Sequence, residues 1–489
     1  MLTQRTAKGV SVTLAVDVIG RLLGVASQVV TGLYLLDEQF GLFGMAIGIA
    51  TAAGLLRGGD LQIYLVSLPP ARRRFRNGSA FWLAQFLFLI GIVPVLMLGS
   101  TIADHLGEPD VVPLVWILCA AMLLAPLRFV LRSRLNARLE FAATARASLI
   151  NTSVQYPLVI VLAIVLQNAF ALVVPVLIGF VAEMIYLIIR AKPTRSDFRP
   201  CWRLMPAVLY RTRWLIVVAA MTSLWTSGDY LIAEFFVPAS VLGTYYFGYQ
   251  LAVQPGRLFL VTVTNLLVPV VRRVGRDPER LRSVTRRLLG TGGFAIAIMN
   301  VAMLAGIAPL EMFVWRGLWS DSVLAVQVLC IGLTFMAILG IATAPLLADR
   351  RYVESLVSNG MRAVAVVLGA GIGAAIWATV DGIAIAGSIS MTIFGIGTIG
   401  WIGTRYGLGF AECVLHVVRC TLPVITAGVV AAVIGELVLD GLGGDATASI
   451  PAGIAAGGSF ALLALFSTRL LPEDTRAELV KLAPGRFQG

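Results

Sequence analysis

Charge is scarce in this sequence: 13% of its 489 residues are Asp, Glu, Lys or Arg, about half the share found in water-soluble domains. Histidine is nearly missing, and the two residues present, His105 and His416, stand alone. The five cysteines, Cys119, Cys201, Cys330, Cys413 and Cys420, make no CxxC pair. A zinc or haem centre and a disulfide framework are therefore not expected, and the thiols read as packing residues. The chain also lacks GxxxxGK[ST], GxSxG, HExxH and any GxGxxG set between a strand and a helix. No enzymatic activity, no cofactor and no metal site are expected.

What is abundant is apolar surface. Hydrophobic residues make up 58% of the chain and the mean hydropathy is +0.89. Apolar stretches recur from Val10 to Leu470, each of about 20 residues and so long enough to cross a hydrocarbon core of roughly 30 Å as a helix. The sequence predicts an all-α, polytopic membrane protein of about fourteen transmembrane helices. The expected spans are 10–36, 40–58, 79–101, 111–131, 147–167, 170–189, 214–236, 241–270, 288–310, 322–346, 361–378, 382–404, 415–438 and 449–470. The first reads as a span and not as a cleaved leader, because its apolar run is too long and carries Asp17 and Arg21.

The formal charge of +12 would suit nucleic acid if it were gathered on one face, but it alternates with the loops. Loops after even-numbered spans are basic, among them Arg72 to Arg76, Arg132 to Arg146, Arg190 to Arg213, Arg272 to Arg287, Arg350 with Arg351, and Arg405. Loops after odd-numbered spans carry Asp37 and Glu38, Asp104, Glu108 and Asp110, Glu311 and Asp321, Asp381, and Asp440 and Asp445, with Arg316 their one basic residue. Basic loops stay in the cytosol, so both termini are expected on the cytosolic side of a cytoplasmic membrane.

The longest polar stretch divides the spans into six and eight. The expected organisation is an N-terminal lobe at 1–189, a cytoplasmic linker at 190–213, a C-terminal lobe at 214–404, spans 13 and 14 at 405–470 and a cytoplasmic tail at 471–489. The Arg272 to Arg287 stretch reads either as a solvated loop touching anionic lipid or as an interfacial amphipathic helix. A short internal similarity supports two lobes: Phe40-Gly41-Leu42-Phe43-Gly44 opens the second span and Leu242-Gly243-Thr244-Tyr245-Tyr246 the eighth.

Ionisable residues inside spans are the informative ones, because a charge at bilayer depth must face protein or a wet cavity. Asp17 and Arg21 stand i, i+4 on the first span, Arg57 lies near the inner end of the second with Asp60 three residues on, and Asp229 and Glu234 are in the seventh. Arg257 is expected deep in the eighth, next to Pro255. Glu183 in the sixth is expected to reach the interface with its stem in lipid. Each has a structural alternative, such as Asp17 and Arg21 pairing to fix helix rotation. Asp37 and Glu38 suggest a metal-binding pair of a membrane glycosyltransferase, but the outer loops leave no room for the soluble part such enzymes need, and solvation of a helix end accounts for them. Prolines within spans, among them Pro94, Pro126, Pro157 and Pro175, permit bends.

The stretch Ser227-Gly228-Asp229-Tyr230-Leu231-Ile232, through Leu242-Gly243-Thr244-Tyr245-Tyr246 to Val268-Pro269, resembles polysaccharide flippases of the multidrug/oligosaccharidyl-lipid/polysaccharide exporter superfamily. Phe40-Gly41-Leu42, Gly317-Leu318-Trp319 and Ala344-Pro345-Leu346-Leu347-Ala348-Asp349-Arg350 are similar to further elements of that family. Arg316 stands where a Phe is common, and an arginine in the eighth span is not general there. The resemblance implies two six-helix lobes around a central cavity, with two further helices at the C-terminal end. It implies that the chain flips an oligosaccharide linked to undecaprenyl diphosphate from the inner to the outer leaflet by alternating access. Membrane lipid, a polysaccharide polymerase and export proteins would be its partners. In that setting Arg21, Arg57 and Arg257 are the expected contacts of the diphosphate. Asp17, Asp60, Asp229 and Glu234 would balance charge or bind a coupling ion. Two rivals stand beside this reading: a multidrug cation extruder of the same superfamily, which would want an acidic cavity, and a membrane-embedded glycosyltransferase or polymerase.

Overall fold

The computed structural model describes residues 2–56, 61–68, 70–274, 278–348 and 351–482, and these hold helices and turns with no strand. The helices run α1 (Leu2–Tyr34), α2 (Asp37–Ala53), α3 (Leu61–Ser67), α4 (Pro70–Leu106), α5 (Val111–Leu123), α6 (Ala125–Ala137), α7 (Phe141–Leu166), α8 (Phe170–Ala191), α9 (Met205–Ala233) and α10 (Ala239–Val274). They continue with α11 (Pro278–Trp315), α12 (Ser320–Ala348), α13 (Tyr352–Trp377), α14 (Val380–Arg405), α15 (Phe410–Gly441), α16 (Ser449–Ser467) and α17 (Glu473–Leu482). Among the described residues, eleven helical segments are long and apolar enough to cross a membrane, α5 and α6 counting as one. The first, second and eighth expected spans coincide with α1, α2 and α10. The chain is a multi-pass helical membrane protein.

Local chemistry sets the breaks. The fourth span is interrupted at Leu124, where Pro126 occupies the first turn of α6 and has no N–H to continue the ladder of α5. Helices α7, α8 and α13 end on Gln167, Lys192 and Ala378, each with the positive φ of a left-handed cap.

Two compact units divide the chain, Met1–Gly243 and Thr244–Gly489. In the first, α1 packs along α7, α7 along α8, and α2 against α4, α5 and α9. The seventh expected span, α9, thus falls within the first unit rather than beginning the second. At Gly48 a Cβ would stand 3.0 Å from the Leu231 backbone, so the missing side chain lets α2 and α9 close on each other.

The 190–213 stretch is not a free tether. Asp197 is buried and accepts from the Thr194 backbone N–H and hydroxyl, both at 2.8 Å, from Asn77 of α4 at 3.2 Å, and from Arg134 of α6. Ser79 donates to the Cys201 carbonyl at 2.9 Å and the Trp82 indole to that of Phe198 at 3.0 Å. Gly78 makes room for this strap, since a Cβ there would lie 2.0 Å from the Arg199 carbonyl oxygen.

The two glycine-aromatic turns noted in the sequence meet. A Cβ on Gly41 would lie 1.8 Å from the carbonyl oxygen of Ala239, and one on Gly243 would lie 1.8 Å from that of Asp37. Ala239 stands four residues before Gly243, and Asp37 four before Gly41, so the contact is reciprocal. The first turns of α2 and α10 cross backbone to backbone with local two-fold character.

In the second unit, α11 packs against α12, α15 and α16, and α14 lies between α12 and α13. Ser388 of α14 donates to the Val328 carbonyl at 2.7 Å and accepts from the Gly332 N–H at 3.1 Å. Phe247 stacks on Trp319 with ring centroids 3.9 Å apart, which gives the Gly317-Leu318-Trp319 element a packing role. The amphipathic helix weighed for Arg272 to Arg287 does not form a separate element. From Pro278 its residues are the opening turns of the 38-residue α11. There Arg282 and Arg286 pair with Glu412 of α15, Arg286 also with Asp474, and Arg287 with Glu478 of α17.

Candidate functional site

The first unit contains an open cavity of about 470 Å³ lined by α2, α4, α5, α6, α8 and α9. Most of its lining is apolar, with Phe88, Leu118, Met122, Phe129 and Val176 among the side chains. Among the described residues, its one charged lining residue is Arg128 of α6.

Arg128 is held from behind. Its Nε lies 3.0 Å from Glu183 Oε1, and its guanidinium sits 4.9 Å over the ring of Phe180, three residues before Glu183 on α8. Arg132, one turn further along α6, donates to the same Glu183 oxygen from Nε at 2.8 Å and from Nη2 at 2.5 Å. Its Nη2 also donates to Ser148 at 2.8 Å. Asn151 of α7 donates to the second carboxylate oxygen at 3.3 Å. Gly179, one turn before Glu183, has room for a Cβ only at 3.1 Å from the Asn151 carbonyl, so α7 comes close enough to take part.

The side chain of Glu183 is fully buried, while those of Arg128 and Arg132 keep 27% and 17% of their surface. One carboxylate faces two guanidinium groups, so the cluster carries a net positive charge, and Arg128 brings it to the cavity wall. Low dielectric around such a site strengthens its pull on an anion. The expectation that Glu183 reaches the interface is thus overturned: the acid is buried, and Arg128, Arg132 and Asn151 take the place of water on its oxygens.

Arg21 on α1 is half-buried and Arg257 on α10 is exposed. Asp229 of α9 is fully buried. Glu234, at the C-terminal end of α9, is 3% exposed and packs where Gly48 has no side chain; neither of its carboxylate oxygens has a hydrogen-bond partner. Within the first unit, Arg21, Asp229 and Glu234 do not line the cavity, although Ser227, two residues before Asp229, does. Arg57, Asp60 and the side chain of Asp17 lie outside the described residues. Among the described residues, no group of His, Cys, Asp and Glu is placed to hold a metal ion, and the five cysteines are free thiols, four of them buried.

Sequence reasoning missed Arg128 although the signal was present. It lies inside the fourth span, and its i, i+4 neighbour Arg132 has the same charge, a pair that repels unless an acid is shared.

The helical arrangement is that of a membrane transporter fold. It is similar to the structure of the lipid II flippase MurJ in an inward closed conformation, with a TM-score of 0.70 at 12% identity over 94% of this chain and 98% of that one. It is also similar to an inward-facing multidrug resistance MATE family transporter of the MOP superfamily, with a TM-score of 0.62 at 15% identity over 79% of this chain and 94% of that one. In sequence, 344 residues are 24% identical to the lipopolysaccharide biosynthesis protein WzxC of Escherichia coli (strain K12), 68% of this chain and 67% of that protein. Residues 34–324 match the family described as polysaccharide biosynthesis protein, and the chain belongs to that family.

Proposed function

We propose that the protein is a flippase that carries an undecaprenyl-diphosphate-linked oligosaccharide from the inner to the outer leaflet of a bacterial inner membrane, for polysaccharide export. The observation that carries this reading is the net-positive Arg128–Glu183–Arg132 cluster behind a largely apolar cavity. A diphosphate needs fixed cations that do not deprotonate, and guanidinium groups supply them. The cluster lies in the second half of the α5–α6 span and of α8, the halves that lead into the basic loops, and those loops mark the side on which a lipid-linked precursor made in the cytosol would enter.

In this reading both termini are cytosolic and the cavity is exposed first to the inner and then to the outer side. Arg21, Arg57 and Arg257 are further contacts for the diphosphate along its route, and Asp17, Asp60, Asp229 and Glu234 balance charge or bind a coupling ion. Glu234 is the strongest of these, because a buried carboxyl without a donor is costly as an anion and is suited to taking up a proton. The fold similarity to a multidrug transporter favours a second reading as a cation extruder. The sign of the cavity cluster argues against it.

The test is the lipid that co-purifies with the protein, identified by mass spectrometry, together with the lipid-linked sugar that accumulates in cells lacking it. Wild-type protein should retain a polyprenyl diphosphate sugar and the R128A variant should not. Retention of equal amounts by both would remove Arg128 from the site.

A further inference from the structure

Besides Arg128 the cavity has a second polar surface, built by α9. Thr222, Ser223, Thr226 and Ser227 all line it. Their spacing places them on one face of the helix, two successive turns of paired hydroxyls. Three of these hydroxyl protons are already committed: Thr222 donates to the Val218 carbonyl at 2.8 Å, Ser223 to that of Ala219 at 3.1 Å and Thr226 to that of Thr222 at 2.6 Å. A hydroxyl oxygen whose proton is so used still has a lone pair to accept with, and an oxygen that donates elsewhere is the better acceptor. Among the described residues the lining holds no carboxylate and no carboxamide.

We propose that this face of α9 is a sugar-binding wall that accepts hydrogen bonds from the hydroxyl groups of the first, uncharged sugar on the diphosphate that Arg128 holds. The inference rests on the flippase reading and adds to it a substrate feature: a neutral, hydroxyl-rich residue next to the phosphates. A wall of acceptors matches a polyol, whose hydroxyls all have protons to give. An acidic sugar would instead set its carboxylate against oxygen lone pairs.

The full-length protein in lipid nanodiscs, titrated with undecaprenyl diphosphate and with undecaprenyl diphosphate-glucose, tests this. The wild type should bind both, the glycosylated lipid more tightly. The T222V/S223A/T226V variant should lose about tenfold in affinity for the glycosylated lipid, the loss expected of a few neutral hydrogen bonds, while its affinity for the bare diphosphate changes less than about twofold. T222S/T226S, which keeps the hydroxyls, should restore wild-type binding, and R128A should weaken both lipids alike. Equal binding of both lipids by wild type and triple variant would overturn the sugar wall and leave the flippase reading intact. A wild type that binds neither lipid would overturn both.

Discussion

Two arginines one turn apart on α6 are tolerable because Glu183 stands between them, and this acid holds three helices in register. Replacing it with Gln keeps the shape and removes the charge, leaving Arg128 and Arg132 to repel in a partly buried setting. The expected cost is about 3–5 kcal/mol, as for a buried pair that loses one partner. Thermal unfolding in detergent measures it, and a Glu183→Gln protein as stable as wild type would show that the guanidinium groups find water instead. Asp197 gives a pH dependence. Burial alone would raise its pKa, but the Thr194 N–H and hydroxyl, the Arg134 guanidinium and Asn77 outweigh burial and hold the carboxyl below the ordinary carboxylate range. A folded-state pKa below the unfolded value of about 3.9 gives stability that is fully present above that value and is lost as pH falls through the folded pKa. Asp197→Asn should therefore lower the melting temperature at pH 7, and the gap from wild type should close as the pH is taken below 4. A gap that stayed constant into acid would mean that the strap is held by neutral hydrogen bonds. At this scale the sequence was legible only in part. Rules about charge at depth pick out Asp229 and Glu234 as buried, yet they look for isolated charges and pass over Arg128, whose partner is 55 residues away.

Elements were far more legible, because a stretch of about 20 apolar residues has few alternatives to a membrane helix. The places where the reading departs are those where one residue redirects a helix. Pro126 splits the fourth span, Pro278 begins α11 inside what read as a loop, and Gly48 draws α9 onto α2, none of which hydropathy registers. The close crossings make a direct prediction. Gly41→Ala places a methyl against the Ala239 carbonyl at a distance no backbone tolerates without moving, and overpacking of this kind costs about 1–3 kcal/mol. Gly99→Ala, at a glycine whose Cβ would meet nothing within 4 Å, serves as the control. Comparable melting temperatures for the two variants would mean that the crossing yields easily.

The molecule as a whole is described by which loops face which side, and its cysteines offer a test that needs little engineering. Cys201 is the only one of the five that is not buried, and it lies in the basic 190–213 stretch. A membrane-impermeant maleimide should leave intact cells unlabelled and should label inverted vesicles at Cys201. Adding Gly444→Cys, in the turn between α15 and α16, should give labelling from outside. Labelling of Cys201 in intact spheroplasts would invert the orientation drawn from the arginines.

The mutual fit of Gly41 and Gly243 has a consequence for descent. Each lacks a methyl so that the main chain of the other can come near, and neither gains from its own bareness if the other is lost. Across lineages of this family the two positions should therefore be kept or abandoned together. A branch that has acquired a side chain at one should have reshaped the opening turn of the other helix as well.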